Sequence, residues 1–181
     1  MAGPSGWPAH ETTVQFFGSR DGLDETAVYV VHRALDGTLR IGLDDGLSVY
    51  TGHRWVRDET PTPYAAQVRA LLEFDGWLWI GGRAGVHRRH RDSVEVYDAV
   101  TGGLPDPTVY ALDVTRAFGR ATVVAATGRG IARWSGRGFV PVALPPAVVP
   151  IGLVLAETQG ADGATPTLWV ASATRGLAQL R

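Results

Sequence analysis

The chain of 181 residues contains no cysteine, no lysine and no asparagine, and only one methionine. Without cysteine there are no disulfides, no thiolate nucleophiles and no cysteine-based zinc sites. Without lysine, every basic side chain other than histidine is an arginine, a bias that fits GC-rich coding and carries little functional weight. The formal charge of −1 leaves no basic excess for neutralising phosphates, so no nucleic-acid partner is expected. The first eight residues, from Met1 to Pro8, lack both a basic n-region and an apolar h-region, so no secretory leader is visible. On that basis the chain as given is expected in the cytoplasm. One uncharged stretch, Phe139 to Ala156, has the length of a membrane span. It holds Pro141, Pro145, Pro146 and Pro150, which would break a helix repeatedly, and it reads instead as an outer strand, a turn and the next inner strand.

What the chain does contain is one pattern written four times: Leu39-Arg-Ile-Gly with Gly46, Leu78-Trp-Ile-Gly with Gly85, Thr122-Val-Val-Ala with Gly130, and Leu168-Trp-Val-Ala with Gly176. The closing glycines lie 39, 45 and 46 residues apart, near the roughly 40–45 residues of a four-stranded propeller blade. The apolar runs Ala27–Ala34, Val68–Phe74, Val109–Thr115 and Ile151–Glu157 lack strict alternation, as strands covered on both faces do. Asp36-Gly37, Asp75-Gly76 and Asp162-Gly163 follow the first runs and predict type I′ hairpins, with Phe118-Gly119-Arg120 in their place in unit three. Fourth strands are expected at Arg54–Arg57, Val94–Tyr97 and Phe139–Val142.

The expectation is therefore an all-β, propeller-type domain with about four blades of four antiparallel strands and almost no helix. A flexible segment at 1–12 precedes a propeller domain at 13–181, with blades near 21–60, 61–103, 104–145 and 146–181. Unit four stops after its third strand, and Thr13 to Phe17 is a candidate to complete that last blade, which would close the ring and remove exposed sheet edges. Phase alone also allows a partial propeller whose ring is completed by oligomerisation or by a missing remainder.

Candidate sites were weighed against packing and solvation. The loops between second and third strands hold Asp44-Asp45, Arg83, Arg129 and Arg175, and three arginines on one rim could hold a small anionic ligand or an acidic protein segment. His87-Arg-Arg-His90 has its histidines three apart, on opposite faces of a strand, which opposes a metal site and makes the patch a solvent-facing part of blade two. Trp79 and Trp169 fall at the same blade position and are expected to pack between blades. Trp55, Trp77 and Trp134 would be recognition anchors if exposed on the loop face. His32, Glu73, Asp113 and Glu157 on the innermost runs fall at unequal offsets and form no axial ring of acids and bases, so no catalytic residue, metal or cofactor is assigned. The competing enzyme reading, a small propeller lyase or hydrolase, would need a deep axial pocket with at least two titratable groups.

These residues resemble the two-component regulator propeller repeat, most closely at Leu78-Trp-Ile-Gly81 with Gly85-Val86, at Gly103-Leu-Pro105, and at Leu168-Trp-Val-Ala171 with Gly176-Leu177. Units one and three are weaker, with Arg40 and Val123 in the tryptophan position and Ala125 where glycine is usual. The resemblance covers residues 13 to 181 and implies a β-propeller sensor domain of a bacterial signalling protein, acting by ligand or protein binding without catalysis, and placed in the periplasm if the chain is a fragment of a sensor kinase. Members typically carry many more repeats than four, together with an output domain that this sequence does not show.

Overall fold

A computed structural model describes residues 14–23, 27–59, 66–144, 155–159, 166–172 and 176–180. Apart from a single 3₁₀ turn at Ser19–Asp21, its regular structure is antiparallel β. Sheet one is built from β1 (Val30–Arg33), β2 (Leu39–Gly42), β3 (Leu47–Tyr50) and β4 (Trp55–Arg57). Sheet two comprises β5 (Ala70–Phe74), β6 (Trp77–Gly82), β7 (Gly85–His90) and β8 (Ser93–Tyr97). Sheet three holds β9 (Val109–Thr115), β10 (Thr122–Thr127), β11 (Gly130–Trp134) and β12 (Phe139–Val142), and sheet four holds β13 (Leu155–Gln159), β14 (Pro166–Ser172) and β15 (Gly176–Leu180). Each is a plain meander. The first strands of successive sheets, β1, β5, β9 and β13, adjoin one another, so the sheets stand side by side as propeller blades do. They are not closed into a ring.

Packing follows from the strand pattern. A sheet apolar on both faces must be covered on both, and here the neighbouring sheet supplies the cover. Leu47 of sheet one meets Val68, Leu71, Leu78 and Ile80 of the second unit. Trp79 and Val86 meet Val109, Val123, Ala125 and Ala132 of the third. Val124, Ala126 and Ile131 on the opposite face of sheet three meet Leu168 and Val170 of the fourth. Fully burying side chains of this size is worth about 1.5–3 kcal/mol each, so these seams rather than single contacts hold the array together.

The register in unit three differs from the sequence alignment by one residue. Counting back from the turn glycines, Gly82 pairs with Gly85 and Thr127 with Gly130, which makes Val124 rather than Val123 the positional equivalent of Trp79. Val124 faces the following sheet as Trp79 does, while Val123 and Ala125 face the preceding one. A slip of one residue flips every side chain to the other face, and the apolar run from Val123 to Ala126 gave no polar residue by which to see it.

The hairpins also sort differently. Asp75 (φ 53°) and Gly76 (φ 76°) are both left-handed, as a type I′ turn demands. Between β1 and β2 only Gly37 has positive φ, and the Ala34 N–H to Thr38 O and Gly37 N–H to Ala34 O bonds make a loop of Leu35-Asp36-Gly37. Phe118-Gly119 behaves likewise, with Gly119 N–H on Arg116 O. Asp162-Gly163 lies outside the described residues.

The segment 14–23 forms no strand among its described residues and does not pair with β15; Phe17 packs on sheet one instead. There it copies a junction found again between sheets two and three. Phe17, Tyr50 and Trp55 form an aromatic triple, as do Tyr97, Trp134 and Phe139. In both, a left-handed glycine then presses on the first residue of a fourth strand, since a Cβ on Gly22 would stand 2.1 Å from Trp55 O and one on Gly103 2.1 Å from Phe139 O. Leu23 and Leu104 follow and are buried. Residues 14–23 thus sit against sheet one as the end of a preceding blade would, rather than on the last sheet. The link before Gly103 is shaped by Asp98, whose carboxylate accepts N–H bonds from Val100, Thr101 and Gly102.

Gly103→Ala is expected to destabilise the protein by about 1–3 kcal/mol, because the new Cβ meets backbone and φ is left-handed. A urea midpoint unchanged from the wild type would refute this reading of the link.

Candidate ligand-binding surfaces

The turns divide the array into two ends. One end carries the turns between second and third strands, and the other carries the remaining hairpins. At the first, Arg83 and Arg129 occupy equivalent turns, β6–β7 and β10–β11, and both are exposed. Arg129, 81% exposed, lies 3.5 Å from Asp106. Asp106 in turn accepts the Thr108 N–H at 2.9 Å. Arg175 lies outside the described residues. On sheet one the same end is acidic, where Asp44 accepts the Tyr29 hydroxyl at 2.7 Å and Asp45 holds Arg57. Charges of both signs therefore alternate along this rim.

The two cavities open at the other end. The larger, about 620 Å³, is lined by Leu35 and Arg40 of unit one and by Glu73, Trp77, Leu78 and Arg89 of unit two among others. A second of about 500 Å³ lies between Phe74 and Asp75 of sheet two and Phe118, Arg133 and Trp134 of sheet three. Recognition signals in the sequence pointed to the opposite loops, because cavities depend on which side chains fail to fill a seam and no local pattern records that.

The motif at 87–90 is not a solvent-facing patch. His87 is only 2% exposed and turns toward sheet one, whereas His90 is exposed, as strand alternation requires. Arg89, on the same face as His87, donates to Asp58 at 2.7 Å, and the two side chains are 11% and 9% exposed. Arg88 points to sheet three and is bracketed by aromatic rings, 4.3 Å from the Trp77 centroid and 4.5 Å from that of Trp134, with Trp79 and Tyr97 just beyond. Its Nε and Nη2 donate to Glu95 at 3.1 and 2.8 Å, and the Tyr97 hydroxyl donates to the same carboxylate oxygen. A planar delocalised cation suits ring faces, and Glu95 balances its charge. The signal existed in the sequence: a two-residue turn at Arg83-Ala84 sets Arg88 opposite Trp79. Trp55 is buried, and Trp77 and Trp134 are half-buried in the seams, so none is an exposed anchor on the loop face.

Burial pushes the His87 pKa down, opposed in part by the nearby Ala84 backbone. Burial, then the Glu95 hydrogen bond, pushes the Tyr97 hydroxyl up to about 12. The Tyr97 hydrogen bond, followed by Arg88, holds Glu95 below the usual carboxylate range.

The candidate axial groups do not converge. Glu73 lies 3.5 Å from Arg40 and accepts the Leu35 N–H at 2.8 Å, whereas Asp113 accepts the adjacent Val114 N–H. His32 is half-buried, and the Glu157 side chain is outside the described residues. Among the described residues no group of three or more histidine or acidic side chains could hold a metal, and no helix is long and apolar enough to cross a membrane.

No protein-family model matches the chain, and no curated protein does. Solved structures do. The extracellular domain of the proposed hybrid two component system BT3049 from B. thetaiotaomicron superposes with TM-score 0.70 and 19% identity, over 92% of this chain and 25% of that one. The extracellular domain of BT4673 from the same organism, described both as a hybrid two component system and as a one component system, gives TM-score 0.63 at 22% and 21% identity, over 85% of this chain and 22% of that one. The fold is shared, and this chain spans about a quarter or less of those structures.

Two outcomes are expected. Because the folded-state pKa of His87 lies below its unfolded value, its contribution is fully present above about pH 6.5 and falls as pH drops toward the folded pKa. The urea midpoint should therefore decline between about pH 7 and pH 5, and His87→Leu should flatten that decline; equal slopes would disprove it. Arg88→Met should cost about 2 kcal/mol, from the lost ring and carboxylate contacts, read by the same unfolding experiment.

Proposed function

We propose that this chain is a non-catalytic recognition module from the sensing part of a bacterial signalling protein, outside the cytoplasm. The observation that carries the reading is the blade array itself, which is similar to extracellular domains of proteins described as two-component systems. Glu73, the candidate acid on the cavity lining, is engaged by Arg40 and the Leu35 N–H, which favours binding over the lyase or hydrolase alternative. On this reading rigid sheets present loops of variable sequence, and the output is made elsewhere.

The rim arginines Arg83, Arg129 and Arg175 are the proposed contact for an acidic protein segment. A second, compatible reading is that the blades belong to a larger ring, supported by the unclosed sheets and by residues 14–23 lying where a preceding blade would end.

Replacing Arg83, Arg129 and Arg175 together by alanine is expected to weaken binding of a short polyglutamate peptide by about tenfold at low salt, with the melting temperature nearly unchanged. Unaltered binding would reject the rim as the contact.

A further inference from the structure

The seam between sheets one and two breaks the rule of the other junctions. In each hairpin joining third and fourth strands, four residues separate a cross-strand pair: Tyr50 with Trp55, Arg89 with Val94, and Trp134 with Phe139. The first and last are aromatic pairs closed by Phe17 and by Tyr97. At the middle junction an arginine and a valine stand in the aromatic places, and the cavity of about 620 Å³ opens beside them. Ordinary packing would fill such a gap, since voids in a seam weaken it.

The cavity's polar groups are unevenly matched. Three carboxylates at the site are engaged, Glu73 by Arg40 and the Leu35 N–H, Asp36 by the Thr38 N–H, and Asp58 beside it by Arg89, while the Asp75 carboxylate lies on the lining at the β5–β6 turn. The cavity's donors are only partly matched, for Nε of Arg40 and Nη1 of Arg89 are buried and make no hydrogen bond, and Nη1 of Arg40 has only its 3.5 Å ion contact with Glu73. Arg40 and Arg89 line the cavity from opposite sheets, with Arg91 also on the lining. A buried N–H without an acceptor is costly, so the site favours a ligand that brings one. Phe74, Trp77, Leu78 and the 92% exposed Leu35 add an apolar wall.

We propose that this cavity binds a small organic carboxylate, its oxygens accepting from Arg40 and Arg89 and its apolar body lying against Phe74, Trp77 and Leu78. The inference rests on the recognition reading above but uses the opposite end of the array from the arginine rim. The carboxylate supplies the two acceptor oxygens that planar guanidinium donors prefer, and the apolar lining distinguishes an organic acid from a bare inorganic anion.

Phenylacetate is a suitable probe, titrated by calorimetry and tryptophan fluorescence beside phenylacetamide and inorganic phosphate. The expected result is a dissociation constant on the order of 1 mM for phenylacetate, with at least about tenfold weaker binding of the amide and of phosphate. Arg40→Gln should weaken phenylacetate by about tenfold. Leu35→Asp, an exposed change that puts a like charge at the mouth, should weaken it as well while leaving the melting curve in place. Equal binding of acid and amide, tighter binding of phosphate, no response to phenylacetate, or wild-type affinity in Leu35→Asp would each overturn the proposal. Loss of the cavity response with polyglutamate binding at the rim intact would overturn the cavity alone, not the recognition reading.

Discussion

Sheets one, two and three carry apolar residues on both faces and are too small to hide either face by themselves. That constraint governs the rest: a sheet is stable only as part of a row, and what lies in each seam decides both cohesion and vacancy. The seam between sheets two and three shows the filled extreme. Arg88 lies against Trp77 and Trp134 with Glu95 as counter-charge, and Tyr97, Trp134 and Phe139 meet edge to face around it. Aromatic rings contribute large buried area and edge-to-face attraction, and the cation is placed on their negative faces rather than left in hydrocarbon.

The seam between sheets one and two shows the opposite extreme. Arg89 and Val94 replace an aromatic pair, Asp58 takes the guanidinium, and His87 is buried uncharged nearby. A buried ion pair seldom stabilises more than apolar packing of the same volume, because both ions lose hydration. A fold that gives up rings for charges at one of its equivalent junctions has put polar groups where a ligand can use them. Function in a repeat protein is found most readily at such departures, since the repeat itself is explained by stacking.

The two ends of the array differ in the recognition they offer. The end with Arg83 and Arg129 is exposed and of mixed sign, suited to screened contacts with a charged segment. The end with Arg40 and Arg89 is recessed, where desolvated donors discriminate more strongly.

Strand order, the four-unit repeat and the near-absence of helix among the described residues were legible in the chain because they depend on local features: short apolar runs, turn glycines and prolines spaced at near-constant intervals. The side on which His87 and His90 lie was half legible, since alternation separates them but does not say which side is covered. The one-residue shift in unit three was hidden by a uniform apolar run, and the aromatic bracket around Arg88 needed a register count across a turn. By itself, then, the sequence determined that this chain makes a succession of antiparallel sheets. Only the tertiary structure decided which seams are filled by rings and which holds buried arginines beside a cavity, because that depends on side chains from different sheets meeting across a gap, and no single segment encodes both walls.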